Sequence, residues 1–117
     1  MIRVIVERQL KSGNDIGRLL LELHMIAVLQ KGHLSNETWI DTENDRTVIV
    51  LSTWQSLEDW KAWERSKERA KILAKIKPLL AKRTKIRTYE MMSPGDYEYY
   101  VDPGSWMQEH EHPHFEG

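Results

Sequence analysis

The chain contains no cysteine. Disulfides, thiolate metal sites and cysteine nucleophiles are therefore excluded. Long hydrophobic runs are missing as well: no stretch approaches the roughly 18 apolar residues of a membrane-spanning helix, so no membrane partner is expected. The opening residues Ile2-Arg3-Val4-Ile5-Val6 read at once as a strand, without the basic and apolar regions of a secretory signal. The expected compartment is the cytoplasm. What is present is ordinary for one folded domain. The 117 residues are 40% apolar and 30% charged, enough for a modest core that would gain from a partner.

Net charge is −1, unevenly spread. Between Lys61 and Arg87 eleven Lys/Arg stand against Glu64 and Glu68, whereas from Thr88 onward there are seven Asp/Glu and no Lys/Arg. A basic helix in isolation points to nucleic acid. Here the acidic tail is the simpler partner, within or between subunits, and no nucleic-acid partner is expected.

Ile2 to Leu10 forms strand one, and Ser12 to Asp15 is turn and cap material. The spacing predicts helix one over Asp15 to Gln30, stopped by Gly32. Ile16, Leu19, Leu20, Leu23, Ile26 and Ala27 make its main apolar face, while Leu21, Met25, Val28 and Leu29 spill onto the opposite side. Such a helix needs covering twice. His33 to Asp41 is strand two, joined by a short polar turn to strand three, Arg46 to Trp54, so the two pair antiparallel. Ser56 with Asp59 caps a second helix, predicted from Leu57 to about Leu80 with a break after Ile76 because Pro78 lacks an amide proton. Lys85 to Met92 is strand four.

The order β-α-β-β-α-β is that of an α+β, ferredoxin-like sandwich. Strands one and three are apolar on both faces, so the sheet face away from the helices should also be covered. A homodimer packed sheet to sheet, closing a barrel-like α+β assembly, would do this. Residues 1–92 form the expected domain. Residues 93–117 form a tail with five aromatic residues, too many for a solvated end, and it is expected to pack on the domain or its partner.

The element order, the Trp closing strand three in Ser52-Thr53-Trp54-Gln55-Ser56, the Trp60/Trp63 helix and the final Ile86-Arg87-Thr88-Tyr89-Glu90 resemble the antibiotic biosynthesis monooxygenase superfamily. The resemblance covers about residues 1 to 92. It implies a dimeric α+β barrel and one of several roles: cofactor-independent oxygenation of anthrones and quinols, haem degradation, isomerisation or others. By likeness to the haem-degrading branch, Trp63 falls on a pocket Trp that presses on the porphyrin. Glu7 falls where that branch has a catalytic Asn. Its axial His would stand ten residues after the Trp, and here that position is Leu73. Haem iron needs its axial donor, so haem is disfavoured as a cofactor.

Cofactor-independent oxygenation asks for an apolar aromatic cleft, a base or hydrogen-bond partner for a phenolic hydroxyl, and exclusion of water. Trp63, Trp39, Trp54 and Trp60 are candidate walls, with packing as the alternative for each. Glu7 and His24 are candidate acid–base groups; a salt bridge and a satisfied core histidine are the alternatives. His33 and Tyr89 are candidate contacts to a small aromatic ligand. His110, His112 and His114 alternate in the tail and are an alternative divalent-metal cluster. The leading expectation is a monooxygenase working without cofactor on a phenol, hydroquinone or anthrone-like molecule. A non-catalytic small-molecule-binding or regulatory dimer is the alternative, and haem binding comes third.

Overall fold

In a computed structural model of the protein, residues 1–12 and 16–100 are described. Strand β1 (Ile2–Gln9) alternates: Ile2, Val4, Val6 and Arg8 are buried, while Arg3, Ile5, Glu7 and Gln9 take the other face. It pairs antiparallel with β3 (Thr47–Trp54) on one side and β4 (Lys85–Glu90) on the other. Strand β2 (His33–Ile40) adds to β3, giving the order β2-β3-β1-β4. This is the ferredoxin-like order that the sequence predicts.

Between His33 and Ser35 the β2–β3 register shifts. Leu34 is the extra residue of a bulge, and a bulge inverts the alternation beyond it. Asn36, Thr38 and Ile40 consequently pair with Ser52, Val50 and Val48 on the helix side, and Ser35, Glu37 and Trp39 turn to the open face.

Helix α1 (Gly17–Ala27) starts after Ile16, which caps it without a side-chain bond; Asp15, the predicted cap, lies outside the described residues. The helix ends at Ala27 rather than Gln30. Its last turn loosens into i→i+3 bonds, Leu29 N to Ile26 O at 3.1 Å and Gln30 N to Ala27 O at 3.0 Å. Gly32 then reverses the chain with φ of 83°.

The predicted long second helix is two helices. α2 (Leu57–Glu64) begins as expected, with Ser56 Oγ accepting from Asp59 N at 3.1 Å. α3 (Lys67–Ile76) begins afresh because Ser66 leaves helical backbone and its Oγ accepts from Arg69 N at 3.2 Å. Pro78 then tightens Lys77–Leu79 into a 3₁₀ turn directly after Ile76, where the break was predicted.

Both helical segments lie on one face of the sheet. Leu23 and Ala27 of α1, Trp60 and Trp63 of α2, and Ile72 and Ile76 of α3 pack on Ile2, Val4, Val6, Val48 and Trp54. The other face carries Ile5, Ile49, Leu51, Trp39 and Tyr89, and among the described residues the core helices α1, α2 and α3 all lie on the opposite side. Leu21, Met25, Val28 and Leu29 are exposed along α1, the second apolar side the sequence predicts. After β4, Ser93 leads into a further helix, α4 (Pro94–Tyr100). Ser93 N and Oγ donate to the Asp96 carboxylate at 2.7 and 2.9 Å, which holds that carboxyl below its ordinary value. Tyr97 is exposed in this helix.

Candidate functional site

The helix-facing residues of β1, β3 and β2 and the inner faces of α1, α2 and α3 enclose a small cavity of about 40 Å³. One water requires roughly 10–15 Å³, so this space holds a few waters or one small polar group. Trp54, Trp60 and Trp63 wall it, and Arg8, His24, Asn36, Ser52 and Arg69 supply its polar lining.

Each residue is there for a local reason. Trp54 closes β3 opposite Ile2 and His33, and its Nε1 donates to Ser52 Oγ at 3.0 Å. The His33 ring meets it edge-on, centroids 5.1 Å apart, and Trp60 packs on it at 5.9 Å. Arg8 is the fourth member of the alternating buried set Ile2, Val4, Val6, Arg8. Arg69 stands one and two turns before Ile72 and Ile76, so the stripe that buries α3 also buries Arg69, with Lys67, Lys71 and Lys75 left outside. Its guanidinium carbon sits 5.4 Å from the Trp60 ring centroid, and Nη1 donates to Glu64 O at 3.4 Å across the break between the helices.

Arg8 is 2% and Arg69 5% exposed. Among the described residues neither has a carboxylate within ion-pair distance. Burial, and then the charge of Arg69, pulls Arg8 down to about 10. Burial lowers Arg69 also, with Glu64 partly opposing it. The Nε atoms of both arginines and the Nε1 of Trp60 are buried without an acceptor among the described residues.

Beside the cavity runs a wider groove of about 510 Å³, lined by Leu10, Ile16, Leu21, Ile40 and Val48 among others. Leu20, His24, Asn36 and Thr38 line both spaces. Asn36 Nδ2 and His24 Nδ1 lie 2.7 Å apart; with the amide so placed, Nδ2 donates and the imidazole accepts there.

Four of the expected site residues are therefore brought together: Trp54, Trp60, Trp63 and His24. His33 stands behind Trp54, beside the cavity wall rather than on it. Three expectations are corrected. Glu7 does not face the helices but the open side of the sheet, across from Ile49 and Lys85, because Arg8 takes the inward phase of β1. Trp39 is 56% exposed on that same open face, turned there by the bulge, with Nε1 donating to Glu37 Oε2 at 3.0 Å. Tyr89 pairs with Arg3, also on the open face. Arg8, Arg69 and Asn36 are the site residues that sequence reading misses. The two arginines carried a signal, since each occupies a core phase of its element.

His110, His112 and His114 lie outside the described residues. Among the described residues no three His, Asp or Glu side chains gather where a metal ion could be held. Haem, the cofactor of the haem-degrading branch, does not fit the residues present. Leu73 is a hydrocarbon packed against the core, and the groove it lines with Ile76, Leu80 and Ile86 offers no imidazole.

Burial and the nearby His24 lower the pKa of His33 below its ordinary 6.5. The folded state then binds fewer protons than the unfolded chain in the window beneath 6.5. Stability is full above that window and falls as pH drops through it toward the folded value. Urea titrations across this range should show that loss, and His33→Phe should flatten it.

The sequence profile of the antibiotic biosynthesis monooxygenase family matches residues 1–75, and the chain belongs to that family. Its fold is shared with a conserved protein from Methanosarcina mazei Go1, at 22% identity and TM-score 0.72 over 78% of this chain and 92% of that one. An antibiotic biosynthesis monooxygenase superposes with TM-score 0.73 at 12% identity, covering 80% of this chain and all of that one. A variant of SnoaB, a cofactor-independent oxygenase from Streptomyces nogalater, superposes with TM-score 0.68 at 8% identity, over 79% and 94%. No curated protein matches the chain in sequence. None of its described helices is long and apolar enough to cross a membrane.

Proposed function

We propose that the protein is a cofactor-independent monooxygenase acting on a small aromatic molecule, a phenol, hydroquinone or anthrone-like compound, in the cleft between sheet and helices. The observation that carries this reading is the tryptophan-walled cavity lying beside an apolar groove, with Leu20, His24, Asn36 and Thr38 lining both. Family membership and the fold shared with SnoaB support it.

An electron-rich phenol or hydroquinone supplies all the electrons itself. A hydroquinone ring takes up one atom of O₂ as a ring hydroxyl while its two hydroxyls become carbonyls, and the other oxygen atom leaves as water. His24 accepts a hydroxyl proton at Nε2 when the Asn36 amide is turned so that its Oδ1 accepts from Nδ1–H, which also fixes the ring. The three buried indoles keep the inner end of the site apolar and narrow. Substrate enters through the groove.

Oxygen-electrode measurements over a panel of hydroquinones and anthrones, without added metal, flavin or haem, test this directly. Uptake of one O₂ per product is the expected result. Inactivity across the panel with retained binding would leave a ligand-binding protein instead. His24→Phe should lower kcat about 10²-fold with little change in melting temperature if the histidine is the base.

The open sheet face, with Ile5, Ile49, Leu51, Trp39 and Tyr89, supports a homodimer packed through that face. Sedimentation should then give twice the 13.9 kDa of one chain; a monomer at all concentrations would dismiss it.

A further inference from the structure

A buried cation is costly unless something offsets its charge, and a pair of them facing one space is costlier. Arg8 and Arg69 are such a pair, from different elements, both lining the cavity and both almost without solvent exposure. Three N–H donors of residues lining it, Arg8 Nε, Arg69 Nε and Trp60 Nε1, are buried without an acceptor among the described residues. Buried donors in native proteins are nearly always satisfied. One lining acceptor, Asn36 Oδ1, is also buried without a partner, which still leaves the cavity with an excess of donors and of positive charge. A group that answered both would be a small oxyanion such as a carboxylate.

We propose that the protein binds an aromatic carboxylate head-in, its oxyanion held between Arg8 and Arg69 and its ring extending past His24 and Asn36 into the apolar groove. The Arg69 side chain is steadied for this by the Trp60 ring and by Glu64 O. Leu20 and Thr38, shared by cavity and groove, form the collar through which the ring must pass. The site also explains the inward phase of two arginines in elements that had lysine or hydrocarbon available at no such cost. This inference rests on the proposed cleft and specifies the substrate class it takes.

Titration calorimetry with naphthoate and its neutral isostere naphthamide tests it on the full chain at neutral pH. Naphthoate should bind about tenfold or more tightly than naphthamide. Arg8→Met and Arg69→Met should each remove that preference while naphthamide binding stays nearly unchanged, and Arg69→Lys should restore part of it. Both methionine variants should keep their melting temperature, since each removes an unpaired buried charge, so a loss of binding cannot be charged to misfolding. Equal binding of the two compounds, a preference that survives in both methionine variants, or acetate binding as tightly as naphthoate would overturn the proposal. Calorimetry needs no turnover, which separates the two readings. Oxygen uptake from neutral hydroquinones without a carboxylate preference would sink the anion site alone. The preference without any oxygen uptake would sink the oxygenase alone.

Discussion

Replacing Trp54 by alanine should destabilise the protein by about 3–5 kcal/mol, the range for large aromatic deletions in a packed core. The side chain has no exposed surface and sits where β1, β2, β3 and α2 meet. Its removal strips the His33 and Trp60 rings of their common neighbour and leaves Ser52 Oγ without its donor. Domains of this size are stable by only about 5–15 kcal/mol, so the variant should be marginal. A fall in urea midpoint with unchanged slope is the expected signature. Trp54→Phe should recover much of the loss, since a ring still fills the space. A midpoint within experimental error of wild type for Trp54→Ala would mean that the indole does not hold the layers together.

Gly32→Ala should cost about 2–5 kcal/mol through two effects that can be separated. The backbone at φ 83° penalises any residue with a β-carbon by about 1–2 kcal/mol. A β-carbon there would also lie within 2.6 Å of Asp59 Cβ and closer still to its carboxyl, on the first turn of α2. That overlap forces the α1–β2 turn away from α2, a strain of order 1–3 kcal/mol. It would also disturb the bond from Gln55 N to Gly32 O at 2.8 Å, which ties the end of β3 to this turn. Asp59→Gly opens the space without relaxing the backbone. A double-mutant cycle should therefore show a coupling near the overlap share and leave the backbone share intact. Additive effects would place the whole cost in the backbone.

Element types and their order are legible in the sequence because the hydrophobic period changes cleanly from two to 3.6 and back. The apolar run of β3 and the Ser56 cap are local signals that tertiary structure has no reason to override. The break at Ser66 is harder to see, since Lys67 to Ala70 continue with good helix formers. Only the lack of large apolar residues between Trp63 and Ile72 marks it. The site is less legible than the fold. Plain alternation from His33 puts Ser35, Glu37 and Trp39 on one face with it, and a single extra residue, Leu34, reverses that. Nothing in the composition of Leu34-Ser35 announces a bulge. Arg8 and Arg69 read as solvated charges by type and as core by phase, and phase decides. Glu7 is the counterpart: a carboxylate attractive by type but on the wrong side of its strand. The alternating tail histidines fall beyond the described residues.

The interruption at Ser66 divides the labour of one helix between two. Trp60 and Trp63 belong to α2 and Arg69 to α3, so the helical shares of the aromatic wall and of the cationic pair are carried by separately capped pieces, while Trp54 and Arg8 stay on the sheet. Neither piece takes part in strand pairing. Residues added or removed at the joint would change the distance between the two walls while every strand register stayed in place. Within one fold, this makes the length of the ligand an evolvable quantity, adjustable by indels at a serine rather than by rebuilding the sheet.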